Sequence, residues 1–182
     1  MSQATQDIRG GLSGAFLLAR GRAEGILRMP HDLAGAARSF WAAAICLPGF
    51  VALRLMTWQT AGIPPDAAHS LAAAALLYAI GWAGYALLSR PVVAAYGRSV
   101  RWPRFIAAWN WCNVVQYVLL LVASIPGALG APGWVDQTLG LIALFWALWL
   151  QWFATRLALD VRGWQATLLV LLDVLVGIVL GG

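Results

Sequence analysis

Asp173 stands inside an apolar run, Leu171-Leu172-Asp173-Val174-Leu175, and the nearest upstream base in sequence is Arg162. A carboxyl group among hydrocarbon side chains is costly and tends to face other helices or a cavity. Asn110, Asn113 and Gln116 recur every third residue in a second apolar run, which places them along one side of a helix with Tyr117 beside them. Gln151, counted back from Arg156, reaches a depth similar to that of Asp173, roughly 15 Å along its own helix at about 1.5 Å per residue. Asn113, Gln116, Gln151 and Asp173 are therefore expected to meet at one level, with Asn110 a turn away. Two chemistries suit such a level. One is an interhelical hydrogen-bond cluster that fixes packing. The other is a site for a proton, an ion or a polar head group such as a quinone ring.

Arg54 is the second expensive residue. It lies one turn before Trp58 in its apolar run. Snorkelling to the outer head groups explains it, as does a specific partner: His69, Asp66 and the carboxylate of Gly182 are all expected at that level. Arg54 and His69 are thus a candidate outer-leaflet contact.

Catalytic and metal chemistry find few parts. The only histidines, His31 and His69, flank different segments on opposite sides and cannot share a metal. No HExxH, GxSxG, P-loop or GxGxxG motif occurs. Cys46 and Cys112 lie in separate apolar runs and form neither a CxxC site nor a disulfide framework. No catalytic residue and no metal ligand is assigned, and an enzyme is not expected. No cofactor is expected, although bound lipid is, and the tryptophans could form a wall for a quinone or pigment.

The elements that carry these residues follow from composition. The chain has 182 residues, of which 62% are hydrophobic and 10% charged. A soluble domain is about 25% charged, so neither a water-soluble globule nor a disordered chain fits. Five apolar segments reach the ~20 residues a helix needs to cross a bilayer. They run over about Ser39–Trp58, Ala67–Ser89, Phe105–Ser124, Val135–Thr155 and Gly163–Gly182. They are continuously apolar and do not alternate, which favours helices over a barrel. Asp66 and Asp136 stand where N-caps are wanted before spans two and four. Pro48 predicts a kink in span one, and Pro126 a stop after span three. The expected fold is all-α: a polytopic bundle of five transmembrane helices, residues 39–182, preceded by a cytoplasmic or interfacial segment, residues 1–38.

All 12 basic residues are Arg. All but Arg54 cluster before span one, between spans two and three, and after span four, while the loops after spans one and three carry none. This alternation predicts a cytoplasmic N-terminus and an external C-terminus in a bacterial inner membrane. The basic balance then reads as contact with anionic lipid head groups and not with nucleic acid. No signal peptide is visible in the first 30 residues, so the first span is expected to act as its own insertion signal. Trp41, Trp58, Trp102, Trp134 and Trp164 fall near span ends as an aromatic belt. Trp109, Trp111, Trp146, Trp149 and Trp152 lie deeper, facing lipid or neighbouring helices.

In the N-terminal segment, Ile8, Leu12, Ala15, Phe16, Ala19, Ala23, Ile26 and Leu27 recur at helical spacing. An amphipathic helix in the cytoplasmic interface, ended by Pro30, is expected. Gly177-x-x-x-Gly181 in span five matches the GxxxG packing pattern.

The stretches Arg38-Ser39-Phe40-Trp41-Ala42-Ala43 and Ala108-Trp109-Asn110-Trp111 resemble small alphaproteobacterial membrane proteins. Together with the five-span arrangement, the chain resembles the Yip family of polytopic membrane proteins. The resemblance implies the same topology across the whole chain. No counterpart of that family's longer cytosolic motif is present, and no functional residue carries over. Short loops and the lack of a catalytic set lead to two functional expectations. The first is an accessory or scaffold subunit of a larger membrane complex, respiratory or photosynthetic, with other membrane subunits as partners. The alternative is a small transporter or channel-like protein using the polar level of Asn113, Gln116, Gln151 and Asp173.

Overall fold

The computed structural model describes residues 3–181, with side chains except at 3, 4, 60, 61 and 181. Among the described residues there are helices and no strands. The helices are α1 (Gln3–Ala19), α2 (Leu33–Ser39), α3 (Trp41–Ala61), α4 (Ala67–Ala95), α5 (Trp102–Ala128), α6 (Gly133–Leu159) and α7 (Gly163–Gly181). Five helical stretches are long and apolar enough to cross a membrane: Leu33–Gln59, Ala67–Ala95, Ser99–Ala128, Gly133–Leu159 and Gly163–Leu180. The 21 residues of α3 alone reach about 30 Å, the thickness of a hydrocarbon core.

Most helix ends follow from local chemistry. Asp66 caps α4, its carboxylate accepting from the His69 backbone N–H at 3.1 Å. Asp32 does the same for α2 through Gly35 N–H at 3.0 Å. Asp136 does not cap α6 as expected. The helix begins earlier, at Gly133 after Pro132, which leaves Asp136 in the first turn where a negative charge suits the helix dipole. Pro126 lies inside the last turn of α5 rather than beyond it. The first apolar stretch also starts earlier than Ser39, at Leu33, because α2 runs almost directly into α3.

The centre of the bundle is α5, which packs on α6, α3, α1 and α2, while α4 packs chiefly on α7. From Phe105 to Cys112 every residue of α5 is buried, so this stretch is enclosed on all sides. An all-round apolar helix without a polar stripe is what such a position requires. Some of its polar groups find partners, while Trp109 Nε1 and Asn110 Oδ1 are buried without one. Asn110 Nδ2 donates to Ser39 Oγ at 2.7 Å, and Ser39 Oγ donates to Ala36 O at 2.6 Å. Trp102 Nε1 donates to Ser89 Oγ at 3.2 Å.

The N-terminal segment departs from the expected single helix. It is not one helix to Pro30: α1 stops at Ala19, the chain turns at Gly21 with φ +74°, and a short 3-10 turn follows over Ala23–Arg28. A residue with a Cβ disfavours that left-handed turn, which explains the glycine. The segment packs on the bundle. Ala15, Leu18, Ile26 and Met29 share one hydrophobic cluster with Phe105, Trp111 and Leu150. At Gly11 the approach is so close that a Cβ would overlap the Trp111 indole. An ion pair between Asp7 and Arg38 ties α1 to the end of α2. The deeper tryptophans also divide. Trp109 and Trp111 are buried, whereas Trp149 is partly exposed.

At the end of the bundle rich in Arg, Arg98 and Arg101 approach Asp160 at 3.7 and 3.4 Å. Arg90 lies over Trp102 at 5.8 Å and Arg156 over Trp152 at 5.5 Å. Exposed pairs of this kind add little stability and mainly hold the side chains in place.

Candidate functional site

Beyond Cys112 the enclosure of α5 becomes one-sided, and a cleft of about 290 Å³ opens between α3, α4, α5 and α7. Arg54 enters it from α3, Asn113 from α5 and Asp173 from α7. Aromatic rings form much of the wall: Tyr78 and Trp82 from α4, Trp109 and Tyr117 from α5. The cleft exists because α4 leans on α7 and makes little contact with α3 or α5. Tyr78, Trp82 and Tyr85 follow one another at spacings of four and three, which puts all three rings on the inner side of α4.

Asp173 is held from behind. Gln151 Nε2 of α6 donates to Asp173 Oδ2 at 2.6 Å. The Trp109 indole N–H lies close to the same carboxyl. That N–H is nevertheless buried without a hydrogen-bond partner. Asn113 Nδ2 is occupied by Trp109 O at 2.9 Å, which leaves the amide oxygen as its remaining acceptor. Tyr78 Oη donates to Ala43 O at 2.7 Å, and Tyr85 Oη to Leu169 O at 3.2 Å. The rings are thereby fixed against their neighbours. Tyr78 lies 4.7 Å from Phe50, and Trp82 lies 5.0 Å from Trp109, centroid to centroid.

Arg54 has a different character. Its Nε is buried and has no hydrogen-bond partner. Among the described residues no ion pair joins it to Asp173, although both groups line the cleft. A guanidinium stays ionised under all ordinary conditions and offers five N–H donors in a planar fork. The cleft therefore presents a fixed positive group, a carboxyl group and a set of ring faces without closing them on one another.

The expected polar level is brought together only in part. Gln151 and Asp173 bond directly, and Asn113 shares the cleft with Asp173. Gln116 turns the other way, donating to Ala147 O of α6 at 3.1 Å, and Asn110 is taken up by Ser39. Three residues spaced by three drift around a helix, since each step falls short of a full 3.6-residue turn. On a helix enclosed by several neighbours, that drift sends each amide to a different partner. Arg54 and His69 are likewise not brought together. His69 is exposed at the start of α4, where its backbone meets Asp66, and Arg54 turns into the cleft. The Gly182 carboxylate proposed as a third partner lies outside the described residues. Of the aromatic wall, the sequence offers Trp109 and Tyr117 but not the α4 rings; the spacing of Tyr78, Trp82 and Tyr85 is the signal that could have found those.

In comparison with known proteins, the chain matches no family model, no curated protein and no solved structure. The groupings His/Cys/Asp/Glu that could hold a metal are absent among the described residues.

Proposed function

We propose that the chain is a multi-pass protein of a bacterial inner membrane that binds the polar head of a membrane-dissolved amphiphile in the cleft between α3, α4, α5 and α7. The observation that carries this reading is the pairing of Arg54 and Asp173 on one cleft without an ion pair between them. Charged groups inside apolar spans are expensive and are retained where they meet a ligand or each other. Here both line one cleft and form no ion pair. The cleft lies well inside the bundle: Asp173 is ten residues from the start of α7, about 15 Å along the helix. The alternation of Arg-rich and Arg-free loops supports a cytoplasmic N-terminus. A small lipid- or solute-handling protein, transporter-like in kind, is the activity such a site serves.

The cleft is preferred to the accessory-subunit reading because it rests on named polar groups. The apolar outer faces of α4, α6 and α7 are what any span presents to lipid tails. Native mass spectrometry of the chain purified in mild detergent tests the proposal. One retained amphiphile per chain is expected, lost in Asp173→Asn and in Arg54→Gln while expression is unchanged. A wild-type chain that retains no amphiphile, or variants that retain it as wild type does, would overturn it.

A further inference from the structure

We infer that the head group taken by the cleft is a zwitterion: an oxyanion and an ammonium on one molecule, as in a phosphoethanolamine lipid. The inference rests on the cleft being the binding site proposed above. Two groups on the cleft lining ask for different partners. Arg54 is a permanent cation with a buried, unpartnered Nε. Its planar fork matches the oxygens of a phosphate or carboxylate. Asp173 lines the same cleft, with one oxygen already held by Gln151. An ammonium placed there meets a carboxyl group and the aromatic side chains of Tyr78, Trp82, Trp109 and Tyr117. Stacked and tilted aromatic faces attract ammonium groups through their negative quadrupole.

Other occupants satisfy only half of this. An anionic head group with no ammonium would meet Arg54 but bring no charged donor to the free oxygen of Asp173. An uncharged ring would leave the guanidinium without a counter-charge in an apolar setting, which is strongly unfavourable. A zwitterion gives the Arg54 guanidinium an oxyanion and the Asp173 carboxyl a donor, and adds no net charge to the membrane interior. The rim suits acyl chains. Leu77, Val176 and Leu180 border the cleft, and a Cβ added at Gly177 would meet nothing within 4 Å. That apolar rim favours a lipid source for the zwitterion over a free solute.

The full chain in detergent provides the test. Cys46 and Cys112 are free and buried, so a thiol-reactive dye reports unfolding. Four probes are compared by their shift of the thermal midpoint: phosphatidylethanolamine, phosphatidylglycerol, diacylglycerol and water-soluble O-phosphoethanolamine. Phosphatidylethanolamine is expected to act at concentrations about tenfold below those of phosphatidylglycerol or diacylglycerol. Asp173→Asn and Arg54→Gln should each weaken the phosphatidylethanolamine response by at least about tenfold. Asp173→Asn should leave the phosphatidylglycerol response as strong as in wild type. A shift by O-phosphoethanolamine equal to that of the lipid would support the same charge pairing with a soluble source. Equal wild-type responses to phosphatidylethanolamine and phosphatidylglycerol would overturn the inference without recourse to any variant. So would an Asp173→Asn chain that binds phosphatidylethanolamine as wild type does. An anionic or uncharged amphiphile retained by wild type and lost in both variants would end the zwitterion assignment and leave the binding site standing.

Discussion

The two halves of α5 are built to opposite rules. From Phe105 to Cys112 the helix is enclosed, with α1 and α2 packed against it in addition to the longer helices. Its polar groups are few, and Trp111 is 1% exposed beneath the backbone of α1. From Asn113 onward the enclosure is one-sided: Val114 and Gln116 stay buried, while the cleft opens on the side of Asn113 and Tyr117. The first half gains from close packing, where dispersion and burial act at once. The second half leaves part of that gain unused. The contrast teaches that close packing and open polar space adjoin on one helix, with Trp109 belonging to both.

That contrast can be broken at its strongest point first. Trp111→Ala should cost about 3–5 kcal/mol of stability, read as a large fall in the thermal midpoint. Gly11→Val should act in the same direction, because its side chain would overlap the Trp111 ring. A Trp111→Ala chain that melts with wild type would mean the enclosed half does not hold the fold. Asp173→Asn should show the converse pattern. Ligand retention falls by at least about tenfold, while stability moves by only about 0.6 kcal/mol, typical of an intramembrane hydrogen bond. A loss of fold on the same scale as Trp111→Ala would erase the distinction between the halves. Gly177→Leu sharpens it further. A Cβ there meets open space at the edge of the cleft, so the variant should fold as wild type and bind several-fold more weakly. Unchanged binding would place the head group elsewhere. The smallest effect is expected at His69, which is exposed and joins the cap through its backbone alone. His69→Ala should change stability by less than about 0.5 kcal/mol and leave binding intact.

The enclosed half and the open half were not equally legible. Five long apolar helices follow from hydropathy, because an apolar run of that length has few other outcomes. The Asp66 cap and the bond from Gln151 to Asp173 also follow from local spacing and depth. What the sequence hid is long-range. Nothing in residues 3–28 announces that Gly11 lies under Trp111, since that contact depends on how α1 crosses α5. The amides of α5 share a spacing, yet Asn110, Asn113 and Gln116 reach α2, the cleft and α6 in turn. Arg54 looked like a residue bound for the head groups, and only the parting of α4 from α3 gives it a cleft to enter.

The most direct measurement is a density map of the full chain in nanodiscs of native lipid, examined between α3 and α4. The account predicts elongated density with its head between Arg54 and Asp173 and its tail over Leu77 and Leu180. A cleft filled by the side chains themselves, with Arg54 turned out to the surface or paired directly with Asp173, would contradict it.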